Sequence, residues 1–107
     1  MAFFAPTVAN VTRDLVKSVP GFEWEVSFRE IGICFQCVGK KMRGVETPLS
    51  SEEGRVIAGR AAETLASKHK DYGFKVYLLT DDGLLVGMEV KRGARTGPPK
   101  AEKLDYW

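Results

Sequence analysis

The sequence predicts an α+β fold, a two-layer sandwich in which a four-stranded antiparallel sheet carries two helices on one face, in the order αββαββ. Three observations carry that expectation. Apolar residues recur at helical spacing in two stretches. Each stretch is followed by Gly-Phe and alternating residues, once at Gly21-Phe22-Glu23-Trp24-Glu25-Val26 and again at Gly73-Phe74-Lys75-Val76-Tyr77-Leu78. Each alternating run then meets turn-forming residues and a second run, as a hairpin would. Period 3.6 gathers side chains on one stripe of a helix, whereas period two sends them to alternate faces of a strand.

The first helix is expected over residues 7–19, with Val8, Val11, Leu15 and Val19 on one stripe. Pro20-Gly21 stops it, because proline lacks an amide hydrogen and disfavours helical geometry in the residue before it. Phe22, Trp24, Val26 and Phe28 then alternate with Glu23, Glu25, Ser27 and Arg29, the signature of a half-buried strand. The chain turns near Glu30 to Gly32 and returns to about Lys41, with Ile33, Phe35 and Cys37 on one face and Cys34, Gln36 and Val38 on the other.

After a polar connector, Ser50 and Glu53 have the spacing of a capping box. The following helix carries Ala58, Ala61, Ala62, Leu65 and His69 on one stripe, and its small residues imply close approach to a sheet. In the second hairpin, a three-residue loop at Asp81-Asp82-Gly83 sets Thr80 opposite Leu84 and Lys75 opposite Glu89. That register collects Phe74, Val76, Leu78, Leu84, Val86, Met88 and Val90 on one face and puts Gly83 where a left-handed residue is needed. Residues 1–92 are expected to form a single domain and residues 93–107 a flexible basic tail ending in Leu104-Asp105-Tyr106-Trp107. The same order of elements occurs in small pterin-carbinolamine dehydratases, but the paired-histidine motif that such an activity requires is absent, so the resemblance is one of architecture.

Composition sets further bounds. A chain of 107 residues suits one domain, and 44% hydrophobic with 28% charged residues matches a globular protein. Without an apolar run near the ~20 residues that cross a bilayer, and without a basic leader before a hydrophobic stretch, a cytoplasmic location is expected. Lys91, Arg92, Arg95, Lys100 and Lys103 against Glu102 and Asp105 put +3 in the last residues, leaving residues 1–90 at −1. A near-neutral body argues against a broadly basic nucleic-acid platform.

The candidate chemistry is sparse. Cys34 and Cys37 have C-x-x-C spacing, yet residues three apart on a strand face opposite ways, and a zinc site would need two further ligands where the chain offers no other cysteine and only His69. They read as structural thiols. His69, between Lys68 and Lys70 in the last turn of its helix, suits a cap better than a general base. Asp81-Asp82 and Glu52-Glu53 read as turn and helix-start carboxylates. Neither a catalytic set nor a metal or cofactor site is expected.

The apolar back of the sheet is the better candidate. Tyr77, Leu79 and Leu85 from the second hairpin, with Gln36 and Val38 from the first, form an expected partner-binding surface for another protein or for self-association, unless the chain's own end covers it. In general character this resembles small phage- or bacteria-encoded inhibitors, of which anti-defence inhibitors are one instance. The alternative expectation is nucleic-acid binding through Lys40, Lys41, Arg43, Lys91, Arg92 and Arg95.

Overall fold

The structure, a computed structural model, describes residues 6–92 and, for the backbone alone, 102–103. Its elements follow the expected order: α1 (Val8–Ser18), β1 (Phe22–Arg29), β2 (Cys34–Lys41), α2 (Ser51–Lys68), β3 (Gly73–Leu79) and β4 (Leu85–Val90), with a short β5 (Glu102–Lys103) added. Four principal strands and two helices make an α+β fold. The tail expected over residues 93–107 lies outside the described residues except at β5, whose Lys103 and Glu102 pair with Met88 and Glu89 of β4.

The sheet is mixed, which corrects the expectation of a purely antiparallel one. Its order is β1-β2-β3-β4-β5; each hairpin is antiparallel, but β2 and β3 run parallel at the centre. The physical reason is the crossover. α2 spans 18 residues, roughly 27 Å at 1.5 Å per residue, and so carries the chain back along the sheet to the end where β2 began. Cys34 is therefore beside Gly73, Phe35 beside Phe74 and Val38 beside Tyr77.

Both hairpin registers follow the sequence pattern. Phe22 pairs with Lys41 through to Arg29 with Cys34, and Phe74 pairs with Val90 through to Leu79 with Leu85. The second turn closes with the Thr80 N–H donating to the Leu84 carbonyl at 2.8 Å, and Gly83 has φ +82°. Leu84 departs from expectation. It sits at the turn, before β4 begins, and is 53% exposed, beyond reach of the core.

One sheet face supplies the core: Phe35, Cys37, Phe74, Val76, Leu78, Val86 and Val90, with Phe22, Trp24, Val26 and Met88 at its margin. α1 contributes Val11, Leu15 and Val19, and α2 contributes Ala58, Ala61, Ala62, Leu65 and Ala66. Phe35 and Phe74 stack with centroids 5.6 Å apart and planes at 13°. Phe28, on the apolar side of β1, packs on Phe35 but remains 41% exposed because β1 is the outermost strand.

Helix ends are capped as their sequences dictate, with one exchange of roles. Thr7 and Asn10 form the full reciprocal capping box on α1. At α2 the Ser50 hydroxyl accepts the Glu53 N–H at 3.1 Å and itself donates to the Glu53 carboxylate, so the Glu53 side chain bonds the hydroxyl and not the backbone. Small residues let elements meet closely. A methyl on Gly54 would lie 2.7 Å from Val86 Cγ2, which measures how near α2 comes to β4.

Gly39 and Gly87 each make room for an aromatic ring on the neighbouring strand. A Cβ on Gly39 would stand 2.7 Å from Leu78 Cδ2 and 2.8 Å from Trp24 Cζ3, and one on Gly87 would press into the Tyr77 ring. Gly39→Ala and Gly87→Ala are each expected to lower stability by about 1–3 kcal/mol through overpacking. Urea unfolding should show a lower midpoint with an unchanged slope; an unshifted midpoint for Gly87→Ala would mean that Tyr77 does not lie against that backbone.

Candidate functional site

The sheet face opposite the core is built by residues that the strand pairings place side by side. Val38 of β2 neighbours Tyr77 of β3, which neighbours Gly87 of β4, and one step on Leu79 pairs with Leu85. In the other direction Gln36 neighbours Lys75, which pairs with Glu89, their charged atoms 3.9 Å apart. The five residues singled out from sequence therefore share one face and lie on adjoining strands. Gln36, Val38, Leu79 and Leu85 are half-buried, whereas Tyr77 is 5% exposed, its ring lying over Gly87. The chain end Leu104 to Trp107, considered as a cover for this face, lies outside the described residues.

Where this face meets the β1–β2 turn, a depression of about 490 Å³ is lined by Phe28, Arg29, Ile31, Cys34, Gln36 and Lys75, among others. Sequence reasoning missed Ile31, which stands 94% exposed at the turn tip. An isoleucine between Glu30 and Gly32, at a position where polar turn formers are usual, is the signal that could have found it. The same turn holds Ile33 at φ 48°, a conformation that β-branched residues rarely adopt.

The basic residues of the nucleic-acid alternative do not converge. Lys40 and Lys41 are the last two residues of β2 and Arg43 follows it, whereas Lys91 and Arg92 follow the end of β4, which lies beside the start of β2's partner β3. The two groups are thus separated by a strand length, roughly 20 Å at about 3.3 Å per residue. Lys41 is also committed inside the chain. Its ammonium pairs with Asp81 at 2.6 Å and donates to the Thr47 carbonyl at 2.9 Å, while Asp81 accepts the Leu49 N–H at 2.8 Å. Together these contacts tie the connector before α2 to the β3–β4 turn. Arg92 Nε donates to the Asp71 carbonyl, and Arg95 lies outside the described residues.

The remaining titratable groups have structural surroundings. His69 caps α2, its Nε2 3.5 Å from Asp14 and its ring 6.2 Å from that of Phe74. Asp14 also pairs with Lys68 at 2.9 Å, so this cluster links α1 to α2. Partial burial raises the Asp14 pKa, but the hydrogen bonds and charges of Lys68 and His69 outweigh it, and the net shift is downward. Asp81 is lowered by its hydrogen bond with Lys41 and by the Leu49 N–H. Burial pushes the Cys37 thiol up to about 12 and raises Cys34 as well. As the strand period requires, Cys37 lies in the core while Cys34 opens onto the outer depression. Among the described residues no three His, Cys, Asp or Glu side chains are grouped to hold a metal.

Comparison of the chain with protein-family models, with curated proteins and with solved structures gave no match.

Two expectations follow. Both carboxylates have depressed folded pKa values, so their stabilisation is present above the unfolded value of about 3.9 and is lost as pH falls through the folded ones. Urea midpoints between pH 6 and pH 2 should therefore fall less steeply in Asp14→Asn and Asp81→Asn than in the parent chain. Thiol labelling at pH 8 should leave Cys37 unmodified until the protein unfolds; rapid labelling of both thiols in the native state would contradict the core placement of Cys37.

Proposed function

We propose that this chain is a small non-enzymatic protein-binding module that docks a partner protein on the outer sheet face, with both helices layered on the opposite face as a two-layer sandwich. The observation that carries the reading is the adjacency of Val38, Tyr77, Gly87, Leu79 and Leu85 across three strands. Tyr77, packed over Gly87 and almost fully buried, is the floor of this face, and the half-buried Val38, Leu79 and Leu85 are the apolar side chains it offers for contact. Such surfaces on small domains serve contacts more often than solvent. Gln36 and the Lys75–Glu89 pair continue it as a polar rim, the usual anatomy of a protein interface. Inhibition of a larger complex, as by a phage anti-defence inhibitor, is one form this activity takes, and the buried free thiols suit the reducing cytoplasm.

The nucleic-acid reading is the weaker of the two, because its cations lie at opposite ends of the sheet and Lys41 is already paired. A lysate pull-down with and without nuclease separates them. The parent chain is expected to retain a protein partner after nuclease treatment, and a Val38→Lys/Leu85→Lys variant with an unchanged circular dichroism spectrum is expected to lose it. Capture abolished by nuclease, or unaffected by the double substitution, would overturn the proposal.

A further inference from the structure

The outer edge of β1 is the longest strand edge left open among the described residues. β1 is the terminal strand on its side of the sheet and pairs along all eight residues with β2, without a bulge, whereas the opposite edge is partly occupied by β5. Open edges are ordinarily blunted by charged side chains, proline, a bulge or shortness. β1 has only the charges, and because Glu23 and Glu25 are opposite in sign to Arg29 they repel an arbitrary strand but suit one of matching pattern.

Backbone parity on this edge is determined by one hydrogen bond. The Met42 N–H donates to the Gly21 carbonyl at 2.9 Å, so the backbone groups of Gly21 and, by alternation, of Glu23, Glu25, Ser27 and Arg29 turn toward β2. Those of Phe22, Trp24, Val26 and Phe28 turn outward, where no strand lies beside them among the described residues. An incoming strand must present the same parity.

We infer that the occupant of this edge is a second copy of the same chain, paired antiparallel through β1 with Val26 on the two-fold axis. In that register Glu23 stands opposite Arg29 of the second copy, Glu25 opposite Ser27, and Trp24 opposite Phe28. By symmetry each pairing occurs twice. Glu23, Glu25, Ser27 and Arg29 are all exposed, so their charges are available to a partner. Phe28, 41% exposed on the core side of the edge, gains an aromatic neighbour.

Neighbouring registers of the same parity are worse. A shift one way sets Glu25 against Glu25; a shift the other way keeps a favourable Glu25–Arg29 pair but leaves Glu23 opposite Ile31 of the turn and shortens the paired segment. Only the register centred on Val26 uses the strand from Glu23 to Arg29, avoids like charges and closes on itself as a two-fold interface must. The result is one sheet continuous across both copies. This inference is independent of the protein-docking reading, because β2 separates the β1 edge from Tyr77, Leu79 and Leu85.

Sedimentation of the full chain over a concentration series tests it. The parent chain should pass from monomer to dimer as concentration rises. Glu23→Arg and Arg29→Glu each create two like-charged pairs and should raise the dimer Kd by about tenfold or more, while the double reversal Glu23→Arg/Arg29→Glu should return it to within about threefold of the parent value. Val26→Pro removes an outward N–H that β2 does not use and should abolish the dimer. A parent chain that stays monomeric throughout overturns the proposal and leaves the edge to a strand of a different protein or to solvent. Failure of the double reversal to restore dimerisation of a folded chain overturns it equally.

Discussion

The parallel contact between β2 and β3 holds two hairpins in one molecule. Each hairpin is internally antiparallel and locally specified, but alone it presents an apolar face to water and is at best marginally stable. The joint is made by Phe35 stacked on Phe74, by Cys37 beside Val76 and by the crossover helix whose alanines sit close to β3 and β4. Gly39 beside Leu78 lets the Trp24 ring reach across this joint, so the edge strand is also anchored to the centre. Remove the joint and neither the core nor the outer face persists as a surface.

Local patterning explains why the elements and hairpin registers were legible in the amino-acid sequence. Alternation along Phe22 to Arg29 and the Asp81-Asp82-Gly83 turn leave little freedom, because a one-residue slip would move every apolar side chain to the wrong face. Strand order was not legible in the same way. Nothing within either hairpin states which of its strands meets the other hairpin, and an antiparallel sheet satisfies the same alternation. A cue was nonetheless present. β2 and β3 carry apolar or small residues on both faces, as at Cys34, Phe35, Cys37 and Val38 or at Phe74, Val76, Tyr77 and Leu78, and strands of that composition belong in the middle of a sheet. β1, with Glu23 and Glu25 on one face, belongs at an edge.

The candidate face was legible for a related reason. Once the hairpin registers are known, Tyr77, Leu79 and Leu85 must share a side, and Gln36 and Val38 must share theirs. Parallel pairing then brings Val38 next to Tyr77 and Gln36 next to Lys75, a juxtaposition that no local pattern encodes. Cations near in sequence or composition proved distant in space, since the ends of β2 and β4 point to opposite poles of the sheet. Lys41 illustrates the limit of reading charge from a string of letters: it follows Lys40 as part of a basic run, yet it serves as a strut between the connector and Asp81.

The central joint also bears on how the chain reaches its fold. Cys34 and Gly73 lie side by side although the rest of β2, the connector and all of α2 separate them along the backbone. Closing so long a loop costs conformational entropy before any contact rewards it, so the two hairpins have time to form as independent fluctuating units. The Phe35–Phe74 stack must therefore repay a loop closure that neither hairpin turn incurs, and it is the contact on which the entropy of that closure falls.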